Sequence, residues 1–487
     1  MTLPKTNIIK CHYKNILLLI ICILLLGCSS KENINKVTNK PNIIFINVDD
    51  LGWKDVGYMG SSYFETPNID KLSKEGMIFT QGYAAAANCA PSRACLMSGQ
   101  NTPRHGVYTV SPSTRGNSKT RKIIPTPNTK HLTNDMVTMS EMFKIAGYTT
   151  GTFGKWHITK NPLNDGFDVN IGGNHRGNPG RKGYDAPYND LPNLEMAPEG
   201  ENLTDRLTTE AVNFVKTNKN KSFFLYLPYY AVHTPLMGKQ NLINKYKTKD
   251  GSNGQDNPVF AAMVENVDTN IGRLLNTIDN LKLSSNTLVV FTSDNGGLRA
   301  ISNQNPLRAG KGSYYEGGIR VPYIIKWPNK IKAASVNATP IVNMDFFPTF
   351  MNIINVKLPN KKLDGQNILP LLKGNKIKER PLFWHFPIYL QAYHQSEDDG
   401  RDPIFRTRPG STVLFKNWKL HHYFEDNALE LYNLEDDLGE RNDLAASNPK
   451  KTQELYEILE TWRKQVHAPI PSELNPEYDS SFKNQKQ

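Results

Sequence analysis

Two pairs of polar residues follow two strongly apolar runs of the sequence. Asp49-Asp50 comes directly after Ile43–Val48, and Asp294-Asn295 comes directly after residues 287–293. Adjacent carboxylates repel each other, so a cation held between them is an economical explanation of both pairs. Oxygen ligands without a neighbouring Cys or His favour Ca²⁺ or Mg²⁺ over Zn²⁺. The alternative is that each pair only caps a turn or a helix.

A third candidate is Cys89, which precedes a short helical stretch. Pro91 fits the first position of a helix and Gly99 fits a helix end, so Cys89 is placed just before the N-terminus. Free N–H groups and the helix dipole attract anions there and acidify thiols. The pattern indicates an activated nucleophile or an anion-binding residue, and an ordinary buried cysteine is the alternative.

These residues require a scaffold that brings strand ends together. Short apolar runs alternate with helical stretches between residues 41 and 375. The expected strands are Ile43–Val48, Met77–Gln81, Thr149–Phe153, Phe223–Leu227, Thr287–Thr292 and Val321–Lys326, and the expected helices lie near 66–75, 91–98, 139–146, 204–217 and 257–281. Such alternation predicts an α/β fold with a large, doubly wound, mostly parallel sheet. Ligands bind at the carboxyl ends of strands in such sheets, where both polar pairs fall.

The pattern changes after about residue 375. Strand-like pieces at Pro381–Phe386, Thr412–Phe415 and Trp418–Tyr423 follow one another closely, before a helical stretch at 449–466. We therefore predict a catalytic domain over 41–375 and a smaller α+β subdomain over 376–470, with an antiparallel sheet and a C-terminal helix. Residues 471–487 form a polar tail that we expect to be loosely ordered.

The N-terminus is typical of an exported protein. Residues 1–27 hold three Lys, no acidic residue and an apolar run of eleven residues, too short to span a bilayer but suited to a signal peptide. Leu25-Leu26-Gly27-Cys28 resembles a bacterial lipobox, which implies cleavage before Cys28 and lipidation of that residue. Residues 28–40 then form a tether to a membrane, and we expect a periplasmic or cell-surface lipoprotein. A buried N-terminal helix is the alternative.

Composition and charge narrow the function further. The chain has 487 residues, 38% hydrophobic and 21% charged, which excludes a disordered chain and a polytopic membrane protein. Five Cys are too few for a disulfide scaffold. Loss of residues 1–27 lowers the formal net charge from +12 to +9, which suits a polyanionic substrate. Nucleic acid is not expected as a partner, because no nucleic-acid motif accompanies the charge.

The residues around Cys89 resemble a known family. Cys89-Ala90-Pro91-Ser92-Arg93 matches the C-x-P-S-R signature of the type I sulfatases, in the alkaline phosphatase superfamily. Further blocks similar to that family follow in its order, and the resemblance covers roughly residues 41–465. These blocks are Thr102–Gly106, Gly154–His157, Ala231–Pro235, Ser293–Gly296, Gly310–Gly312, Glu316–Pro322 and Glu430–Leu434.

The resemblance implies a role for each candidate. Cys89 would be oxidised to formylglycine by a maturation enzyme, and its hydrated form would attack sulfur. Its second hydroxyl would then release sulfate. The positions that match the Ca²⁺ ligands are Asp49, Asp50, Asp294, Asn295 and residue 89 itself. The positions that match the groups holding the diol or the sulfate are Arg93, Lys155, His157, His233 and Lys311. One of the last two would protonate the leaving oxygen.

Spacing adds to two of these assignments. Arg93 lies four residues after Cys89 and therefore on the same helix face. Lys155 and His157 are two residues apart at a predicted strand end, so we expect their side chains to point the same way.

The substrate is predicted less directly. Long polar inserts place basic residues beside aromatic ones, which suits a sugar ring that carries negative charge. The candidate specificity residues are His175, Arg176, His385, Arg406 and Arg408. Core strand residues and surface arginines are the alternative. We expect a sulfated polysaccharide, with algal polymers such as ulvan or carrageenan ahead of host mucin or glycosaminoglycan.

Two other functions compete with this one. Relatives that share the formylglycine signature include phosphodiesterases and phosphonate monoester hydrolases. A glycan-binding surface lipoprotein with a vestigial site is the alternative from another class. It predicts the loss of several metal-binding or sulfate-binding residues, and none is missing from this sequence.

Overall fold

A computed structural model describes residues 1, 40–110, 112–133, 135–194, 198–358, 360–394 and 397–482. The predicted signal peptide and the predicted lipid anchor at Cys28 lie outside these residues. Within them, no helix is both long and apolar enough to cross a membrane.

The large sheet has eight strands in the order β5-β4-β6-β1-β7-β8-β2-β9. Strands β5, β4, β6, β1 and β7 run parallel, whereas β8 is antiparallel to both β7 and β2. The strands are β1 Asn42–Val48, β2 Met77–Phe79, β4 Thr149–Phe153, β5 Val169–Ile171, β6 Phe223–Pro228, β7 Thr287–Ser293, β8 Tyr323–Lys326 and β9 Ser335–Asn337. This confirms the predicted mostly parallel α/β sheet.

Helices cover both faces of this sheet. Strand β1 is buried along its whole length, because Ile44 and Ile46 pack against one layer of helices while Ile43 and Phe45 pack against the other. The first layer holds α1 Pro67–Glu75, α5 Leu203–Thr217 and α7 Pro258–Asn280. The second holds α2 Cys89–Ser98, α4 Met139–Ile145, α9 Phe346–Ile354 and α10 Leu369–Leu372. Burial on both faces explains why these strands read as continuous apolar runs.

The smaller sheet is antiparallel, as predicted, with the order β11-β14-β15-β16. Its strands are β11 Leu382–Phe386, β14 Gly410–Phe415, β15 Trp418–Tyr423 and β16 Leu429–Asn433. Helix α11, Pro449–Val466, packs Leu455 and Leu459 against this sheet. The described residues from Lys40 onward belong to one compact unit, and the two sheets on either side of the predicted boundary near 375 both lie in it.

Short elements complete the described chain. They are strands β3 Gly82–Tyr83, β10 Ile341–Val342, β12 Leu390–Gln391 and β13 Phe405–Thr407, and helices α3 Thr102–His105, α6 Gln240–Lys247 and α8 Glu316–Ile319.

The expectation of a loosely ordered tail is wrong for residues 471–482. The side-chain amide of Asn475 donates to the carbonyl oxygens of Ser118 and Arg121, both at 2.8 Å. The N–H of Ile124 donates to the carbonyl oxygen of Glu473, also at 2.8 Å. The polar composition of the tail therefore reflects hydrogen bonding to a loop more than 350 residues away in sequence.

Candidate active site

The two polar pairs meet at the carboxyl edge of the large sheet. Strands β1 and β7 are parallel neighbours with Val48 opposite Ser293, so the residues that follow them lie side by side. The N–H of Asp50 donates to Oδ1 of Asp294 (3.3 Å), and Nδ2 of Asn295 donates to Oδ1 of Asp50 (2.8 Å). One oxygen from each of Asp49, Asp50 and Asp294 lies within 4.8 Å of the others. The predicted cluster of carboxylates therefore forms.

Each buried carboxylate also contacts at least one buried cation. The shortest distances are 2.6 Å from Lys155 Nζ to Asp49 Oδ2, 2.7 Å from Lys311 Nζ to Asp50 Oδ2 and 2.8 Å from Arg93 Nε to Asp294 Oδ2. Residues widely separated in sequence thus converge on one centre.

The pKa values of the carboxylates in the cluster are shifted in different directions. Burial and then the charge of Asp294 raise the pKa of Asp49 to about 8, although Lys155 acts against them. Burial also disfavours the ionised form of Asp50, but the positive charges led by Lys311 outweigh it and lower its pKa. Ionisation of all three neighbouring carboxylates at once is therefore unfavourable. A bound cation would reduce the repulsion between them.

Cys89 is the first residue of helix α2 and lies against this cluster. Its Sγ is 3.8 Å from Oδ1 of Asp50, and the residue is 1% exposed. Burial, and then the negative charge of Asp49, raise the pKa of the thiol. Desolvation and nearby carboxylates therefore act against the acidification that a helix N-terminus favours.

Arg93 lies one turn further along the same helix, as its spacing predicts. Besides Asp294, its guanidinium donates from Nη1 to the carbonyl oxygen of Lys155 (2.7 Å). Its Nη2 is 3.8 Å from Oδ1 of Asp49 and has no hydrogen-bond partner among the described residues. Arg93 therefore ties helix α2 to the segment that carries Lys155.

Lys155 and His157 do not continue strand β4, which ends at Phe153. The argument from strand spacing is therefore wrong, because His157 has a positive φ of 65°. Its N–H donates to the carbonyl oxygen of Asn174 (2.8 Å), and its Nδ1 is buried with no described partner. Burial, and then the charge of Lys155, hold the pKa of His157 well below its usual value, so the imidazole is neutral.

His233 and Lys311 reach the cluster from two further loops. His233 Nδ1 donates to the carbonyl oxygen of Thr234 (2.6 Å), which leaves Nε2 facing Oδ2 of Asp50 at 3.7 Å. The N–H of Lys311 donates to the carbonyl oxygen of Gly297 (2.8 Å), in the loop that follows β7. All the predicted catalytic positions except His157 therefore contact the carboxylate cluster or one another. His157 follows Lys155 by two residues in the sequence.

The predicted specificity residues fall into different environments. His175 and Arg176 are exposed, and Arg176 Nη1 lies 3.2 Å from Asp190 Oδ1. Their segment covers His157 through the Asn174 carbonyl. These two residues therefore lie beside the buried centre, at a place open to solvent.

His385 is not available to a substrate, so its prediction as a specificity residue is wrong. It is 1% exposed, and its ring nitrogens contact Ser411 Oγ (2.7 Å) and the carbonyl oxygen of Pro469 (2.9 Å). It lies in strand β11 of the smaller sheet, where it contacts the chain that follows α11. The alternation of aromatic and basic residues there reflects packing.

Arg408 and Arg406 differ although they are two residues apart. Arg408 forms ion pairs with Asp402 and Glu425, both at 2.5 Å, which use its charge within the protein. Two acids therefore hold Arg408 within the protein, and its role in specificity stays a prediction. Arg406 donates to the carbonyl oxygen of Lys311 (3.0 Å) and so lies next to the site.

Gly177 was missed as a positioning residue. A Cβ placed on Gly177 would lie 2.4 Å from Cε1 of His157, so only glycine allows this approach. The signal in the sequence was a glycine directly after His175-Arg176, but its contact depends on a fold that the sequence does not show.

The fold and the site define an α/β protein in which a buried carboxylate cluster and several buried cations meet at the carboxyl edge of the large sheet. A family model described as sulfatase matches residues 41–356, and one described as N-sulphoglucosamine sulphohydrolase, C-terminal, matches residues 310–467. The chain belongs to the sulfatase family, and the alkaline phosphatase superfamily fits its fold. It is therefore a sulfuric ester hydrolase.

Two proteins that are similar to most of this chain are also sulfatases. A sulfatase of Formosa agariphila is 34% identical to this chain, and the match covers 89% of this chain and 89% of that protein. The N-acetylgalactosamine-6-sulfatase of Mus musculus is 32% identical over 71% of this chain and 68% of that protein. The crystal structure of Ps i-CgsB in complex with k-i-k-neocarrahexaose has a TM-score of 0.71 and 32% identity, and covers 87% of this chain and 93% of that one.

Proposed function

We propose that this sulfatase removes sulfate esters from a sulfated polysaccharide or its oligosaccharides, and that it uses a formylglycine formed at Cys89 together with Ca²⁺. The observation that carries this proposal is the position of Cys89. Its side chain lies at a helix N-terminus, against three carboxylates that are each paired with a cation.

The residues present fit a hard divalent cation. Oδ1 of Asp49 and Oδ1 of Asn295 are both buried without a hydrogen-bond partner among the described residues. Unpaired buried oxygens are costly, and a cation would satisfy them. Asp49, Asp50, Asp294 and Asn295 would hold the ion. When bound, Ca²⁺ would supply positive charge that stabilises the sulfate oxygens and the attacking oxygen.

The environment of residue 89 also fits the modification. The thiol is buried beside carboxylates that keep it protonated, which makes it a poor nucleophile as it stands. Sγ occupies the place from which an oxygen would attack. The hydrated aldehyde would supply that oxygen and a second hydroxyl that allows sulfate to leave without attack by water.

The remaining side chains bind charge or move protons. Lys155 and Lys311 lie on either side of the carboxylate pair Asp49-Asp50, so their ammonium groups would hold the sulfate oxygens as negative charge develops. His157 is neutral and presents an unpartnered Nδ1, which could accept a proton from a hydroxyl at residue 89. His233 or Lys311 would donate the proton that the leaving oxygen needs.

A carrageenan-type polymer is the substrate we favour, ahead of ulvan and of host glycans. The relative of known structure that binds k-i-k-neocarrahexaose supports it, since the two chains match over nearly their whole length. Exposed His175 and Arg176 lie near His157, where they could meet the saccharide.

Sulfate release, measured by ion chromatography, tests the proposal on a panel of position-defined oligosaccharides. The panel should include carrageenan, ulvan and glycosaminoglycan fragments, with an aryl phosphodiester and a phosphonate monoester for comparison. We expect sulfate from at least one saccharide and much slower turnover of the phosphorus esters. Preferred turnover of a phosphorus ester would reverse this assignment.

We also propose that the chain is exported as a lipoprotein anchored through Cys28, and that a maturation enzyme modifies Cys89. The apolar run before Leu25–Cys28 supports the first point. Membrane fractionation of cells that express the full chain or Cys28→Ser tests it. We expect the variant to lose its membrane association, and equal association of both would refute the anchor.

A further inference from the structure

Arg406 is a buried arginine without an acidic partner. It is 4% exposed, and its guanidinium donates to the carbonyl oxygens of Gln391 and Lys311, both at 3.0 Å. The other fully buried arginines in the described part of the chain each contact a carboxylate. These pairs are Arg93–Asp294, Arg320–Glu316 and Arg463–Glu460. Because buried charges are normally paired, Arg406 stands out as a cation with unused charge.

Arg406 lies directly beside the catalytic centre. It contacts the main chain of Lys311, whose Nζ reaches Asp50. A Cβ on Gly312 would come within 2.9 Å of Nη1 of Arg406, and the N–H of Gly312 donates to the carbonyl oxygen of Ala87 (2.7 Å). Arg406 is therefore packed between the Lys311 loop and strand β12, next to the segment that leads into Cys89.

A second arginine lies nearby without a carboxylate. The loop that carries Arg115 runs along Tyr389 and Phe405: the N–H of Tyr389 donates to the carbonyl oxygen of Ser113, and Gly116 packs on the ring of Phe405. Among the described residues, Arg115 forms no ion pair. Burial lowers the pKa of Arg406; Tyr393 and Asp398 act against it, and the charge of Arg115 adds a smaller effect in the same direction as burial. The loop of Arg115 thus lies beside the strand of Arg406, and the two arginines are near enough for their charges to repel.

An aromatic ring and one acid complete the surroundings. The guanidinium carbon of Arg406 lies 3.5 Å from the ring centroid of Tyr393, which is 50% exposed. The carboxylate of Asp398 attracts Arg406 from a distance, but it accepts the N–H groups of Tyr393 (2.6 Å) and His394 (3.2 Å). Its hydrogen bonds therefore shape the Tyr393 loop, and it forms no ion pair with Arg406.

We propose that Arg406 and Arg115, with Tyr393 as a stacking surface, form a subsite for a second anionic group of the saccharide, next to the sulfate ester that is cleaved. A sulfate or a carboxylate fits this pair, because guanidinium groups bind both through parallel hydrogen bonds. An exposed tyrosine ring beside them suits the apolar face of a sugar. The inference rests on the proposed function and narrows its substrate to saccharides with at least two negative charges close together.

Binding, measured without turnover, tests the subsite. The Cys89→Ala variant would be titrated by isothermal calorimetry with matched saccharides that carry one or two sulfates per repeat. Kappa- and iota-carrageenan tetrasaccharides form one pair, and mono- and disulfated chondroitin disaccharides form another. We expect a disulfated member to bind at least about tenfold more tightly than its partner, since a charge-assisted contact of this kind is worth about that much.

Arg115→Gln in the same background is the decisive variant, because Arg115 does not hold Lys311. It should reduce the preference to about twofold or less, whereas Arg181→Gln, whose side chain is 87% exposed, should leave it unchanged. The subsite would be refuted if both members bind equally or if neither binds. It would also be refuted if the preference for the disulfated member persists in Arg115→Gln. Sulfate release by the unmutated enzyme is scored separately: none from any saccharide refutes the proposed function, while release with equal binding refutes only the subsite.

Discussion

Lys419 and Glu316 form a fully buried ion pair, with 2.9 Å between Nζ and Oε1, that joins the smaller sheet to the segment following Lys311. Glu440 Oε1 lies 2.9 Å from the same ammonium group, and Glu440 Oε2 accepts the N–H of Glu316 (2.6 Å). Glu316 also holds Arg320 at 3.0 Å. The smaller sheet therefore fixes the loop from which Lys311 reaches the active site.

Replacing Lys419 with Met should destabilise the protein and disturb the site together. Glu440 would lose the lysine that pairs with it and Glu316 would keep only Arg320, and breaking a buried pair in this way costs about 3–5 kcal/mol. Urea denaturation would report the loss in free energy of unfolding. Lys416→Met is a matched control, since Lys416 is exposed on the same hairpin. Equal stability of the two variants would show that the buried pair does not fasten the sheets.

This network shows what the sequence could not reveal. Strands β1 and β7 and the polar residues after them were predictable, because an apolar run followed by acids is a local pattern. Lys419 gave no such signal, since a lysine in an alternating strand normally faces solvent. Its burial depends on acids roughly 100 residues earlier and about 20 later.

Gly177→Ala should impair catalysis more than substrate binding. The new Cβ would overlap the imidazole of His157, and a displaced catalytic group costs about 10- to 100-fold in kcat. Steady-state kinetics on an aryl sulfate would show kcat falling while KM changes little. Gly400→Ala is the control, because a Cβ there has no neighbour closer than 3.3 Å. An unchanged kcat in Gly177→Ala would mean that this packing does not position His157.

Removal of the metal should abolish turnover. Exhaustive dialysis against a chelator is expected to stop sulfate release and lower the Tm, because the three carboxylates would then repel each other. Added Ca²⁺ should restore both, and elemental analysis should find one ion per chain. Asp294→Asn should lose the ion, whereas Asp364→Asn, which only breaks a pair with Arg104, should keep it. Full activity in chelated, metal-free protein would exclude a role for the ion.

Stability should fall with decreasing pH in part through His385. Burial lowers the pKa of His385 to about 3, so the folded state keeps it neutral while the unfolded chain binds a proton below about 6.5. Its contribution is present above pH 6.5 and is lost as the pH falls toward 3. Between these pH values the contribution of His385 to the free energy of unfolding should change by about 1.4 kcal/mol per pH unit. Urea midpoints for wild type and His385→Gln between pH 7.5 and 4.5 would measure it, and parallel curves would contradict it.

The same histidine marks where pattern reasoning failed. His385, Arg406 and Arg408 all lie among aromatic residues, so the sequence gives them one interpretation. The structure separates them by their partners: a serine and a carbonyl for His385, two acids for Arg408, and no acid for Arg406. Which basic residue keeps its charge available depends on acids brought near by the fold. The orientation of His157 likewise escaped prediction, because this residue has a positive φ beyond the end of strand β4, where the alternation of a strand no longer applies.

The proposed reaction depends on the side chain at position 89 acting as formylglycine. The most direct measurement is peptide mass spectrometry of residue 89 in preparations made with and without a maturation enzyme, alongside their rates of sulfate release. We expect activity to rise in proportion to the fraction of residue 89 present as aldehyde, and Cys89→Ala to be inactive. Full activity in a preparation whose residue 89 is entirely thiol would contradict it.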